Sequence, residues 1–394
     1  ENVCMTYFPY IDLERIYPRT SDMKIPSHQQ QPMLTEKLLL DSKDITKNNV
    51  FPATVLTRQG VGLSHEVNQD RSIIVSPFLT TISPQRQSDS SDKIIKNDFI
   101  IGVFDGHGQN GEYISEYAVT NLPKILAAKL EENQLDQGEK EEVIIVQALI
   151  DSFHQLDSDL NREVASEGGS TASVTLHHSS KLYIANIGDS YTYVVTYNPS
   201  TQKTNIVYET REDKPDLPEE RSRIESMDGE VSIPPPWLKG IDSPRVMTKN
   251  PTTFGDGFVY ALAMSRSFGD YQLKKVGVIA TPIVNVLDLA DIRKREMTTE
   301  GGGEELQVFV VSATDGLFQS VKNEEVVHKV VSALGKIEAK NMGESRSSQK
   351  DIDSLALCEE VILQASEKWR ALRMMNPRHT NYRDDITIAV MRAI

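Results

Sequence analysis

Four apolar, β-forming runs in this chain abut an aspartate: Phe99–Asp105, Leu182–Asp189 and Val308–Asp315 end on one, and Asp384-Asp385 opens the run Ile386–Val390. Strands drawn from such distant parts of the sequence can share a sheet edge, and carboxylates gathered there repel one another unless a cation sits among them. The pattern therefore restricts the fold to one that collects strand ends. It also makes the chain a candidate two-metal hydrolase.

The 394 residues, 39% of them hydrophobic, supply one large domain or two ordinary ones. A formal charge of −15 argues against broad binding to nucleic-acid backbones, which takes clustered basic surface. Cys4 and Cys358 are the only cysteines, which leaves no disulfide framework and no cysteine-based zinc spacing. No apolar stretch reaches the length of a membrane-spanning helix, and the N-terminus carries no signal-peptide core. The expectation is a monomeric, intracellular protein, cytoplasmic and/or nuclear, with the reservation that a targeting segment could have preceded Glu1.

Residues 1–52, with Pro9, Pro18, Pro26, Pro32 and a polar run from Ser27 to Gln31, read as a partly irregular N-terminal extension. The polar segment Ser83–Asp92, Gly301–Gly303 and Gly343–Lys350 read as loops. Helical periodicity predicts helices over Glu112–Glu132, Glu141–Val164, Asn323–Ala339 and Leu355–Met374. Strands are predicted at Ile100–Phe104, Thr171–His177, Leu182–Asn186, Tyr191–Thr196, Asn205–Tyr208, Val259–Ala263, Gln307–Ser312 and Ile386–Arg392. Short turns between Thr171 and Tyr208 favour an antiparallel meander. The fold class that follows is α+β, a β-sandwich.

Asp105-Gly106-His107-Gly108 taken alone reads as a β-turn. Its company changes that reading, because Asp315-Gly316 repeats the strand-then-Asp-Gly pattern and Asp384-Asp385 precedes the last strand. Oxygen ligands without cysteine suit Mg²⁺ or Mn²⁺. Beyond these, Asn68–Arg71, Val103–Gly108, Gly169–Ala172, Ala185–Ser190, Asp213–Glu220, Leu262–Asp270, Thr314–Leu317 and Arg383–Asp385 occur in one order. This ordered series resembles the metal-dependent serine/threonine protein phosphatases of type 2C, from about Thr57 to Val390.

The resemblance implies two mainly antiparallel sheets flanked by helix pairs, and a catalytic domain over 53–394 with a flap at about 211–257. It implies that Asp105 bridges two Mg²⁺ or Mn²⁺ ions, that Gly106 offers its carbonyl, and that Asp315 and Asp384 each hold one ion. By the same resemblance Asp70 holds metal-bound water, Asp189 contributes to a weaker third-metal site, and His107 is the acid that protonates the leaving serine or threonine oxygen. With an ordinary pKa of about 6.5, a histidine suits that task. Two ions about 3.5–4 Å apart activate a water for in-line attack on phosphorus.

The chain also departs from the family's pattern. His65 stands near the position of a phosphate-gripping arginine, without arginine's bidentate fork, and Arg58 is a neighbour that could take that part. Gln69 replaces a frequent acidic residue, Asp385 an asparagine, and Leu317-Phe318-Gln319 lacks the aspartate that supports the third-metal site. Three functions share this core: a phosphatase acting on phosphoserine and phosphothreonine in proteins, a pseudophosphatase scaffold of the same fold, and a small-molecule metal phosphohydrolase.

Overall fold

A computed structural model describes residues 6–7, 53–60, 67–76, 78, 98–133, 140–236, 243–249, 260–300, 306–318, 323–341, 360–365, 367 and 384–393. Its strands are β1 (Thr6–Tyr7), β2 (Ala53–Arg58), β3 (Asp70–Val75), β4 (Phe99–Gly108), β5 (Gly168–Ser170), β6 (Ala172–His178), β7 (Lys181–Ile187), β8 (Tyr191–Asn198) and β9 (Lys203–Glu209). They continue with β10 (Gly229–Ser232), β11 (Arg245–Thr248), β12 (Phe268–Gly269), β13 (Ile283–Asp288), β14 (Gln307–Ala313) and β15 (Ile386–Ala393). The helices are α1 (Gly111–Asn133), α2 (Glu141–Asp159), α3 (Pro218–Ser226), α4 (Tyr271–Lys274), α5 (Leu289–Glu300), α6 (Asp315–Phe318) and α7 (Asn323–Asn341).

One sheet runs β1-β3-β4-β6-β7-β13, with β5 and β12 appended beside β4, and a second runs β2-β15-β14-β8-β9. Their ladders are antiparallel. Both faces of each sheet are covered, and the strand period of two decides which residue faces which layer. On β4, Phe99, Ile101 and Val103 pack with Val194, Val308 and Val310 of the second sheet, whereas Ile100 and Phe104 pack with Ile114, Leu122 and Phe153 of α1 and α2. On β14, Phe309, Val311 and Ala313 turn the other way and pack against Val327, Val330 and Val331 of α7. The result is a helix–sheet–sheet–helix sandwich, as the sequence led us to expect.

Strands whose two faces are both apolar lose the alternation that marks a half-exposed strand. Asp70–Val75, half of it polar, and Ile283–Asp288, with Asn285 and Asp288, escaped the sequence reading because neither alternates cleanly. The short β10–β11 hairpin and α5 escaped it too. The second predicted helix ends at Asp159 instead of Val164, and the strand predicted at Val259–Ala263 reduces, in its described part, to a single bridge between Leu262 and Val246. Of the helix predicted at Leu355–Met374, residues 360–365 and 367 are described as helical. The three loops predicted at Ser83–Asp92, Gly301–Gly303 and Gly343–Lys350 lie outside the described residues. Among the described residues no helix is long and apolar enough to cross a membrane.

The two sheets are stitched together by hydroxyls at the end where the aspartates gather. Ser173 Oγ, Thr192 Oγ1 and Ser312 Oγ form a buried chain with both links at 2.8 Å. A hydroxyl can both donate and accept, so this chain pairs polar groups inside the inter-sheet space.

Candidate active site

The antiparallel register of β3 and β4 sets Asp70 directly opposite Asp105. The second sheet reaches the same place. Thr314, at the end of β14, and Thr387, on β15, donate their hydroxyls to Asp70 Oδ2 at 2.8 and 2.7 Å. The other oxygen, Asp70 Oδ1, is buried with no hydrogen-bond partner. A buried carboxylate oxygen left bare is costly, and it is the kind of atom a cation or an ordered water satisfies.

Asp105 does not end its strand. The ladder continues through Gly106, His107 and Gly108, which pair with Ser170, Gly169 and Gly168 of β5, so the Asp-Gly-His-Gly segment is extended and not a turn. Gly106 is required by packing: a Cβ there would stand 2.5 Å from the Gly111 carbonyl oxygen and 2.6 Å from that of Gln69. Asp315 opens the short α6. Gly316 after it packs so closely on Asp384-Asp385 that a Cβ would fall 1.9 Å from the Asp385 carbonyl oxygen. Thus the residues around Asp315 and Asp384 touch, and the sandwich end collects Asp70, Asp105, Asp315 and Asp384.

The electrostatics carry the signature of this gathering. Burial pushes the Asp105 carboxyl well above the ordinary carboxylate range, and Asp70, Asp315, Asp384 and Asp189 push it further. Burial also raises Asp315, with Asp189 and Asp384 adding to it and Lys214 opposing. Asp70 is raised by burial and by Asp385, against the two threonine hydroxyls. Among the described residues no three acidic or imidazole side chains already stand close enough to ligate one ion. Hard oxygen donors, a bare buried carboxylate oxygen and mutual repulsion nevertheless fit divalent cations held by Asp105, the Gly106 carbonyl, Asp315 and Asp384.

Asp189, in the β7–β8 connection, is buried and receives Lys214 Nζ at 2.7 Å. Burial opposes the lysine's charge, but Asp189 and Glu212 beside it outweigh that and raise its pKa. The sequence reading had placed Lys214 only at the start of the flap. His65 lies outside the described residues. Arg58, at the end of β2, is opposite Ile386 on β15, and burial lowers its pKa.

His107 is partly buried, and its Nε2 stands 2.9 Å from Asp270 Oδ2. Burial disfavours the imidazolium, yet the Asp270 carboxylate outweighs it and raises the pKa of His107. Asp270 is a residue that sequence reasoning passed over, although it closes the Leu262–Asp270 motif. The signal was its place after Gly269 at the end of that motif.

Gln69 and Asp385 turn out to hold the floor of the site. Gln69 Nε2 donates to Glu112 Oε2 at 2.8 Å and to the Gly108 carbonyl at 3.2 Å, which a carboxylate at this position could not do. Asp385 Oδ2 accepts the Gln69 backbone N–H at 2.7 Å, and its Oδ1 accepts that of Gly60. The segment expected to form the flap opens with α3. Its charged look on paper conceals Glu220, which is fully buried and accepts from Arg211, Arg223, Arg266 and Ser265.

Residues 76–354 match the family profile described as protein phosphatase 2C. The chain is 34% identical over 238 residues to "Probable protein phosphatase 2C 72" of Arabidopsis thaliana, a match covering 59% of this chain and 65% of that protein. It is 31% identical over 298 residues to "Probable protein phosphatase 2C 48" of Oryza sativa subsp. japonica, covering 71% and 73% respectively. Among solved structures, a serine-threonine phosphatase 2C from Toxoplasma gondii superposes with a TM-score of 0.55 at 18% identity, over 87% of this chain and 95% of that one, and shares the fold. The profile stops short of Asp70 on one side and Asp384 on the other, and the fold brings both to the end of the sandwich where Asp105 lies. Taken with the ordered motifs, these matches place the chain in the protein phosphatase 2C family.

Proposed function

We propose that this protein is a Mg²⁺- or Mn²⁺-dependent serine/threonine protein phosphatase whose catalytic domain spans 53–394, with residues 1–52 as an extension. The observation that carries the reading is the gathering of buried, mutually repelling carboxylates around Asp105, in a chain of this family. Asp105, the Gly106 carbonyl, Asp315 and Asp384 would hold two cations. When bound, such cations supply an activated water and neutralise charge on the phosphoryl group.

The chain's own groups do the rest. Asp70, held by Thr314 and Thr387, fixes the polar floor beside the ligands. His107, whose pKa Asp270 raises, gives its proton to the serine or threonine oxygen as the P–O bond breaks and that oxygen takes the bonding pair. The imidazole is then reprotonated from solvent. Serine and threonine alkoxides are poor leaving groups, so this proton matters most for them. The flap segment, 211–257, contains α3 and the β10–β11 hairpin and is the natural determinant of which phosphoprotein is admitted.

The test is hydrolysis of a phosphothreonine peptide by the purified chain. We expect turnover with Mn²⁺, abolished by chelator and by Asp105→Asn or Asp384→Asn. Activity that survives either substitution contradicts the ligand assignment. Metal-independent inactivity of the intact chain would favour a scaffold role.

A further inference from the structure

The carboxylate that engages His107 belongs to no ligand set, and its surroundings are built to aim it. Asp270 is fully buried at the start of α4, with φ 52° and ψ 42°, a left-handed conformation uncommon for a residue with a Cβ. Ser267 Oγ donates to its Oδ2, the same oxygen that takes His107 Nε2, and Tyr260 OH donates to its Oδ1. Its backbone N–H is tied to the Gly168 carbonyl at 2.8 Å, so β5, which pairs with the His107 strand, anchors both partners. These contacts hold Asp270 ionised despite burial: its pKa is lowered, with burial opposed by His107, Ser267 and Tyr260.

The geometry has a directional consequence. An ionised carboxylate accepts only, so Nε2 must carry the hydrogen that points to Asp270. His107 Nδ1 is buried beside the Asp105 backbone, so the ring is held between Asp270 on one side and Asp105 on the other. Tyr260 adds a second link. It sits where the flap segment rejoins the core, packed against the cluster of Ile224, Val246 and Leu262 that seats α3 and the β10–β11 hairpin.

We propose that Asp270 is the positioning residue for His107, fixing its tautomer and ring orientation, and that Tyr260 ties that arrangement to the seat of the flap. The proposal rests on the reading of His107 as the acid, and the two can fail separately.

The experiment compares steady-state kinetics of Asp270→Asn, Tyr260→Phe, His107→Ala and the Asp270→Asn/His107→Ala double variant, at saturating Mn²⁺, on a phosphothreonine peptide and on p-nitrophenyl phosphate. The nitrophenolate leaves without help from an acid. Asp270→Asn is expected to lower kcat on the peptide about 10- to 100-fold, with KM within about twofold and a loss on p-nitrophenyl phosphate several times smaller. The double variant should equal His107→Ala. Tyr260→Phe, which keeps the ring, should show the same selectivity at a few-fold and serves in place of Asp270→Asn should that variant not fold. Equal losses on both substrates, a loss carried by KM, or additive losses in the double variant would overturn the positioning role. Should His107→Ala itself lose equally on both substrates, the acid reading falls and takes this proposal with it.

Discussion

Asp384 and Asp385 are neighbours in sequence with opposite work. Asp385 spends both carboxylate oxygens on backbone N–H groups of Gly60 and Gln69, holding the β2 exit and the β3 entry against β15. Asp384 is partly exposed and adds its charge to those on Asp105 and Asp315. Asp385→Asn turns one acceptor into a donor facing a donor, which should cost about 1–3 kcal/mol, read as a lower urea midpoint in chelator. Asp384→Asn keeps the Oδ1 that accepts the Asp385 backbone N–H and relieves repulsion around Asp105, so it should not lower that midpoint, while removing Mn²⁺-dependent turnover. The reverse pattern would exchange their roles. The sequence could show a tandem pair and, through the family resemblance, which member to propose as the ligand. It could not show the clasp, because Gly60 and Gln69 carry no mark of accepting a side chain more than three hundred residues away in the chain.

At the scale of elements, α3 shows how a surface-looking helix can be an anchor. Pro218 at its first turn and the acidic pair Glu219-Glu220 make it legible as a helix start. Ile224, four residues after Glu220, falls on the same face, and both are buried. That spacing was the available hint that Glu220 points inward. Burial alone would raise the Glu220 carboxyl, but Arg266, Arg223 and Ser265 bring it down to about 2. Its folded pKa is therefore below the unfolded value of about 4.3, so its stabilisation is present above that pH and is lost as pH falls towards 2. Glu220→Gln leaves three guanidinium groups facing a neutral amide. We expect a cost of about 3–5 kcal/mol, with faster amide hydrogen exchange across 211–232 than across β4 or β14. Unchanged exchange in that segment would show that α3 is held by its apolar contacts instead. Strand pairing was less legible. β6 to β9 announced themselves by short turns, whereas β13 is brought to its place by β7, about a hundred residues earlier in the chain.

For the whole molecule, the sandwich both creates and tolerates a concentration of negative charge at one end. Asp70, Asp105 and Asp315 all titrate above the unfolded carboxylate value. A group whose folded pKa is raised binds more protons in the native state, so without metal the protein should lose stability as pH rises from about 4 through those raised values. In chelator, the thermal midpoint is expected to rise on mild acidification from neutrality. Asp105→Asn should raise it at neutral pH and flatten the dependence, and a midpoint that falls on mild acidification in wild type would count against the repulsion described above. Binding to the native state alone makes added Mn²⁺ stabilising in proportion to its affinity. The most direct measurement is the number of Mn²⁺ ions bound per chain, by equilibrium dialysis or calorimetry at neutral pH. About two ions per wild-type chain are expected, with both weakened together in Asp105→Asn and one in Asp384→Asn. Wild type that binds no ion, or an Asp105→Asn chain that still binds two as tightly, would contradict a binuclear centre built on Asp105.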